Sequence, residues 1–187
     1  MKKFAFETYT IEIFNDNDYT SGSADNVNRY ANEYHSDIGY YRPSSRHGIR
    51  IYNDETETNS CILLGYGGET AIHENSALLD GDRLLVCCGD AVFCLGVPEL
   101  NLLWTTRADE VTAFQIFKPA VDYIVHGELA ISGLNRDGKI NWEFSGRDIF
   151  VTLEGPDSFK LERDHIVLTD FEYNVYKIDF NGRSLLS

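Results

Sequence analysis

Positive charge is scarce in this chain. It holds 16 Lys and Arg against 30 Asp and Glu, a formal net charge of -14. Phosphate backbones and anionic membranes are bound largely through Lys and Arg, so nucleic-acid and membrane partners are disfavoured and a basic protein partner is favoured. The same acidity also serves solubility alone. Long apolar runs are missing too, and nothing approaches the roughly 20 residues of a membrane span. Met1-Lys2-Lys3 has the charge of a signal-peptide start, but Glu7 and Glu12 interrupt the apolar run that should follow. Cys61, Cys87, Cys88 and Cys94 form no CxxC and no Cys/His zinc spacing, so no metal site is expected. With no export signal, the cysteines are read as reduced thiols of a cytoplasmic protein. No cofactor-binding motif and no catalytic signature is found.

What the chain does have is aromatic residues and repetition. Eleven Tyr and eleven Phe favour strands. Three stretches resemble one another. Asp82-Arg-Leu-Leu-Val leads through Phe93-Cys-Leu to Leu103-Trp104. Asp122-Tyr-Ile-Val-His leads through Ile131-Ser-Gly-Leu to Asn141-Trp142. Asp164-His-Ile-Val-Leu leads through Tyr176-Lys-Ile to the C-terminus. The leading aspartates are 40 and 42 residues apart, and the tryptophans 38. A period of about 40 to 45 residues suits one blade of a β-propeller. Within each unit, apolar runs are split by turn signals: Gly89-Asp90, Gly127-Glu128, Asp137-Gly138 and Asn181-Gly182. A further strand is expected before each unit, at Ala77 to Leu79, Phe114 to Phe117 and Phe159 to Leu161, which makes about four strands per unit.

The N-terminal part is less regular. Phe4 to Ile13 reads as one long strand. Asn15 to Ser45 reads as a long polar loop with a short helix near Val27 to Tyr34. Ile49 to Asn53 and Cys61 to Tyr66 read as a hairpin bridged by Asp54 to Asn59, a degenerate first blade. The fold class expected is all-β: a partial or small β-propeller-like stack of four-stranded antiparallel repeat units with an irregular N-terminal cap. It is read as a single domain over 1–187, irregular over 1–75 and repetitive over 76–187. Propellers commonly close with four to eight blades. Either the N-terminal strand completes the last blade or the stack stays open, with edges that need a cover and with room for a homodimer.

Phe93-Cys-Leu…Leu102-Leu-Trp104 and Leu134-Asn-Arg-Asp-Gly-Lys-Ile-Asn-Trp142-Glu-Phe resemble the strand-turn-strand core of quinoprotein-type (PQQ-type) propeller repeats. Tyr176-Lys-Ile-Asp-Phe-Asn-Gly-Arg is similar up to its turn. The resemblance covers about Ser76 onward and implies repeat architecture. The quinone- and calcium-binding residues of those enzymes have no counterparts here, so no cofactor is implied. The Gly-His and Trp-Asp dipeptides of WD40 repeats are absent.

Repeating tryptophans point to packing between sheets, so Trp104 and Trp142, with Leu95, Leu134 and Ile178, are the expected structural core. Cys87 and Cys88 point to opposite faces of a strand and suit burial rather than shared chelation. Gly65-Tyr-Gly-Gly-Glu-Thr70 lacks the Lys of a phosphate loop and reads as a tight bend. His73-Glu74, His126 with Glu128 and Asp164-His165 pair imidazole with carboxylate, but nothing brings a nucleophile to them. The most interface-like residues are Asp16, Asp18, Tyr19, Asp25, Tyr30, Glu33, Tyr34, Asp37, Tyr40 and Tyr41, where stiff aromatic area is mixed with negative charge. The leading expectation is a non-enzymatic protein-binding protein, in its most concrete form an immunity-type inhibitor of a basic bacterial toxin. The alternatives are a small-molecule or carbohydrate-binding module and a hydrolase, the latter favoured by a deep pocket holding His126 or His165 beside carboxylates.

Overall fold

The computed structural model describes residues 1–36, 42–155 and 157–185. Sixteen strands and no helix are found among them: β1 Lys2–Phe6, β2 Tyr9–Asn15, β3 Asn32–His35, β4 Ser45–Asn53, β5 Thr56–Gly65, β6 Ala77–Asp80, β7 Arg83–Cys88, β8 Ala91–Gly96, β9 Leu102–Arg107, β10 Ala113–Phe117, β11 Tyr123–Gly127, β12 Ile131–Leu134, β13 Ile140–Phe144, β14 Phe159–Leu161, β15 Ile166–Thr169 and β16 Val175–Ile178. They form four sheets, ordered β1-β2-β4-β5-β3, β6-β7-β8-β9, β10-β11-β12-β13 and β14-β15-β16.

The second and third sheets are four-stranded antiparallel meanders at the positions the repeats predict. The fourth has three strands and the beginning of another, in a bridge from Ile178 to Ser184. The first sheet corrects several sequence expectations. Its long N-terminal strand is two strands, reversed at Glu7, which takes a positive φ of 52°. The expected helix is absent. Instead, Asn32 to His35 pairs in parallel with Cys61 to Leu64. Alternation of Glu33 and His35 on one face with Tyr34 on the other suits a strand, and period 2 outweighs the polar composition. The hairpin bridge is shorter than expected, because β4 and β5 run to Asn53 and Thr56 and turn at Asp54, φ 53°. β1, β2, β4 and β5 make a four-stranded antiparallel blade with β3 added at its edge. Since β1 pairs within its own sheet, it does not complete the fourth, and the sheets do not close into a ring.

The sheets stack through three apolar layers. Ile11, Ile13, Ile49, Ile51, Cys61 and Leu63 of the first meet Leu84, Val86, Cys88, Phe93 and Leu95 of the second. Leu85, Cys87, Val92 and Cys94 leave the other face of the second and meet Tyr123, Val125 and Leu134 of the third. Ile124 and Ile131 then meet Phe150, Ile166, Leu168 and Ile178. Adjacent Cys87 and Cys88 thus serve different layers, as strand alternation requires. A sheet buried on both faces needs apolar residues at every position, hence the unbroken runs of β7 and β8.

Trp104 and Trp142 occupy matching places. Trp104 Nε1 donates to the Arg136 carbonyl at 3.1 Å, and its ring lies against Gly138 in the turn of the next sheet. A β-carbon on Gly138 would come within 2.5 Å of the indole, and one on Gly182 within 2.4 Å of Trp142. Both glycines have positive φ, 79° and 74°. Each tryptophan therefore docks on the glycine turn of the following unit. Asp109 adds a polar staple, accepting from the Val111 and Thr112 amides through Oδ1 and from the Leu129 and Ala130 amides through Oδ2.

Candidate functional site: the cover of the first sheet and an acidic rim

The outer face of the first sheet carries Phe14, Gly48 and Arg50, and the segment from Asp16 to Ser36 lies over it. Gly48 makes the close approach possible, since a β-carbon there would sit 2.3 Å from the Tyr30 hydroxyl and 2.7 Å from the Phe14 ring. Asp16, only 8% exposed, accepts from the Tyr30 hydroxyl at 2.6 Å and from Asn28 at 3.0 Å. Arg50 donates to Asn28 at 2.8 Å and to Glu57 at 3.1 Å, and its guanidinium lies over the Phe14 and Tyr30 rings. Burial, then the Asp16 carboxylate, pushes the Tyr30 phenol far up.

Glu33 is the second hub. It accepts from Tyr19 Oη at 2.6 Å, Ser21 Oγ at 2.5 Å and His35 Nε2 at 2.7 Å. Burial opposes its charge, but these three donors prevail and hold the carboxyl below its usual range. Burial and Glu33 push the Tyr19 phenol up to about 12. His35 Nδ1 lies 3.0 Å from Tyr66 Oη, with the two rings stacked. Beside this chain of carboxylate, imidazole and phenol, a pocket of about 310 Å³ opens between cover and sheet, lined among others by Ser21, His35, Arg42, Arg46 and Tyr66.

The structure therefore divides the residues expected at an interface. Asp16, Tyr19, Tyr30 and Glu33 make the internal bonds of the cover. Tyr34 points the other way and donates to the Leu100 carbonyl at 3.0 Å, inside the first apolar layer. Asp18 and Asp25 are exposed. Asp37, Tyr40 and Tyr41 lie outside the described residues. His35, Arg42, Arg46 and Tyr66 were missed by sequence reasoning. The available signal was the alternation of Arg46 with Ser45 and His47 in β4, which marks Arg46 as outward.

A second surface comes from topology. Antiparallel order sends the β1–β2, β4–β5, β6–β7 and β8–β9 turns to one end of the stack. Asn59 bonded to the Glu99 carbonyl at that end, and Gly65 packed on Cys88 at the other, fix the relative direction of the first two sheets. The rim so formed presents Glu7, Asp54, Glu55, Asp82 and Glu99, all exposed. Among these, Asp82 has an ion pair, with Arg136 at 3.8 Å.

The acid-base candidates remain apart. Exposed His73 bonds the Phe114 carbonyl. His165 pairs with its neighbour Asp164 at 2.8 Å. His126 is 5% exposed. It contacts the Phe150 carbonyl through Nε2 and Gln115 through Nδ1, and stacks on Phe159. Burial pushes it down to about 4, so it is a neutral packed ring. Glu128 accepts from Thr112 instead. His126 does edge an open pocket of about 520 Å³ with Asp157, but both its nitrogens are engaged. Leu95, Leu134 and Ile178 are fully buried, and Trp104 and Trp142 are partly buried. Among the described residues, no group of three or more His, Cys, Asp or Glu converges to hold a metal ion.

No protein-family model matches the chain, and no curated protein matches it. Solved structures do. The chain is similar to the dihydro-heme d1 dehydrogenase NirN, with a TM-score of 0.51 and 12% identity over 76% of this chain and 33% of that one. It is also similar to the WD40 β-propeller domain of Doa1 (TM-score 0.48, 12% identity, 75% and 48% covered) and to the computationally designed Ika8 protein (0.49, 8%, 79% and 46%). It spans less than half the length of each. At such identity the likeness concerns fold alone; the stacked sheets themselves make this a β-propeller-like protein whose sheets, among the described residues, form an open arc.

Proposed function

We propose that this chain is a non-enzymatic protein-binding protein whose acidic rim engages a basic protein partner. The observation that carries this reading is the clustering of Glu7, Asp54, Glu55 and Glu99 at one end of two rigidly packed sheets. Negative charge fixed on a stiff frame steers a cationic partner and speeds its association, without reordering on binding. Asp18 and Asp25 on the cover are also exposed and negatively charged. The most concrete form is an immunity-type inhibitor that neutralises a basic bacterial toxin in the cytoplasm. The docking of each tryptophan on the next glycine turn supports reading the repeats as quinoprotein-type, used here as scaffold and without a cofactor.

The test is capture from native lysate on immobilised protein, at low salt and again at about 0.5 M, where charge attraction is screened within a few ångströms. A cationic protein is expected to be retained at low salt and released at high salt. Asp54→Asn, Glu55→Gln and Glu99→Gln together are expected to abolish its retention. Retention indifferent to salt and to this triple substitution, or capture of no basic protein, sinks the reading.

A further inference from the structure

We propose that the pocket between the cover and the first sheet is a binding site for a small ligand carrying a phosphate-type oxyanion. Strand register brings the groups together. Arg46 of β4 pairs with Leu64 of β5, and Leu64 pairs with His35 of β3. The three side chains lie in one cross-strand row on the outer face, with the apolar Leu64 between two nitrogen-bearing groups. Arg42 joins from the chain leading into β4, and Ser21 and Tyr66, whose hydroxyls bond Glu33 and His35, complete the wall.

The charges here oppose those of the whole molecule. The chain as a whole carries a net charge of -14. Yet among the described residues neither Arg42 nor Arg46 has a carboxylate within ion-pairing distance. The nearby acid, Glu33, is committed to three donors, Tyr19, Ser21 and His35. It orients the imidazole and does not neutralise the guanidiniums. Two permanently charged, planar donor groups thus line one pocket with no ion pair to a described carboxylate. Guanidinium pairs bind oxyanions through parallel hydrogen bonds, which gives geometry as well as energy. A phosphate monoester offers two negative charges and three terminal oxygens, enough for both arginines, whereas a carboxylate offers one charge and two oxygens. The volume of about 310 Å³ lies at the small end for ligand sites and suits a compact phosphorylated molecule rather than a polymer. This inference stands independently of the acidic rim.

The test is titration calorimetry of the whole chain with inorganic phosphate and with phenyl phosphate, at constant ionic strength set with sodium chloride. Saturable one-to-one binding in the millimolar range or tighter is expected. Arg46→Gln and, separately, Arg42→Gln are each expected to weaken it by about tenfold or more, the usual scale for losing a charged hydrogen bond. Arg163→Gln, on an exposed arginine of the fourth sheet's turn, should leave it unchanged. Arg42 is itself exposed, so its variant reports on binding even if Arg46→Gln perturbs folding. Absence of saturable binding, or equal binding by both pocket variants, overturns the proposal. Acetate binding as tightly as phosphate overturns the assignment to a phosphate-type anion.

Discussion

The first and fourth sheets are the two ends of one stack, and they are finished differently. The outer face of the first is sealed by its own chain, with Tyr30 against Gly48 and a buried carboxylate, Asp16, holding the cover down. At the fourth, Phe171, Tyr173 and Val175 stand 44%, 56% and 62% exposed. An end sheet in a repeat stack has one face with no neighbour, and terminal units commonly need a polar cap. Here one end meets that need by insertion of a segment between β2 and β4, which places polar groups over an apolar surface and satisfies them in pairs. The arc can be extended at the fourth sheet only, because the face of the first is already occupied.

Acid should break both ends, and this is the largest effect expected. His47, between the first two sheets, and His126, between the last two, are both buried and both pushed by burial from 6.5 down to about 4. Above pH 6.5 each ring is neutral whether the chain is folded or not. As pH falls, the unfolded chain takes up protons that the folded chain refuses until about pH 4, so stability is lost across that window. Each ring accounts for about 3 kcal/mol. The two differ in their surroundings. His126 is bonded at both nitrogens, whereas neither nitrogen of His47 makes a hydrogen bond of normal geometry, although backbone groups of Arg46 and Cys87 are near. His47→Leu should therefore remove part of the acid sensitivity at no loss near pH 7, while His126→Gln removes its part with a loss there. Urea titrations at pH 7 and pH 4.5 separate the two, and an unchanged acid response in His47→Leu would refute the assignment.

Next in size are the tryptophans. Trp104→Ala and Trp142→Ala should each cost about 3 kcal/mol, by leaving a void over the next glycine turn. Their similarity is the point: a large difference between them in chemical denaturation would mean that the repeats are not energetically equivalent. Gly48→Ala should cost about 1–3 kcal/mol by pushing Tyr30 and Phe14 away. Its damage should stay local, seen as faster amide exchange over 16–36 with the third and fourth sheets unaffected. Smallest of all, Val175→Ser should change stability by less than about 0.5 kcal/mol, because its side chain is already mostly in water. A larger loss would reveal that the open face is covered in solution.

The repeats were legible because the units share local devices. Apolar runs recur in all three, a tryptophan in the second and third sheets, and an Asp-Gly or Asn-Gly turn in the third and fourth; all are short-range signals, and each falls where its strand or turn is found. The first sheet was harder to read. Its reversal at Glu7 uses no glycine, asparagine or proline, so no turn signal marks it. β3 is four residues long and pairs with a strand that begins more than twenty residues later, and a parallel edge strand of that length leaves little pattern. The cover read as a loop rich in Tyr and Asp. Nothing in the order of residues says that Asp16 would be buried beneath Tyr30 while Asp18, two positions on, would face water.

By itself, the sequence determined that this is a chain of similar antiparallel sheets, stacked through apolar faces and negatively charged, because strand period, turn chemistry and net charge are local or additive properties. The tertiary structure alone decided that the arc stays open, that one end is sealed, and that Arg42, Arg46 and His35 meet at a pocket. Those outcomes depend on which distant strands pair and in what register, and the energies that choose among registers arise only when the faces are brought together.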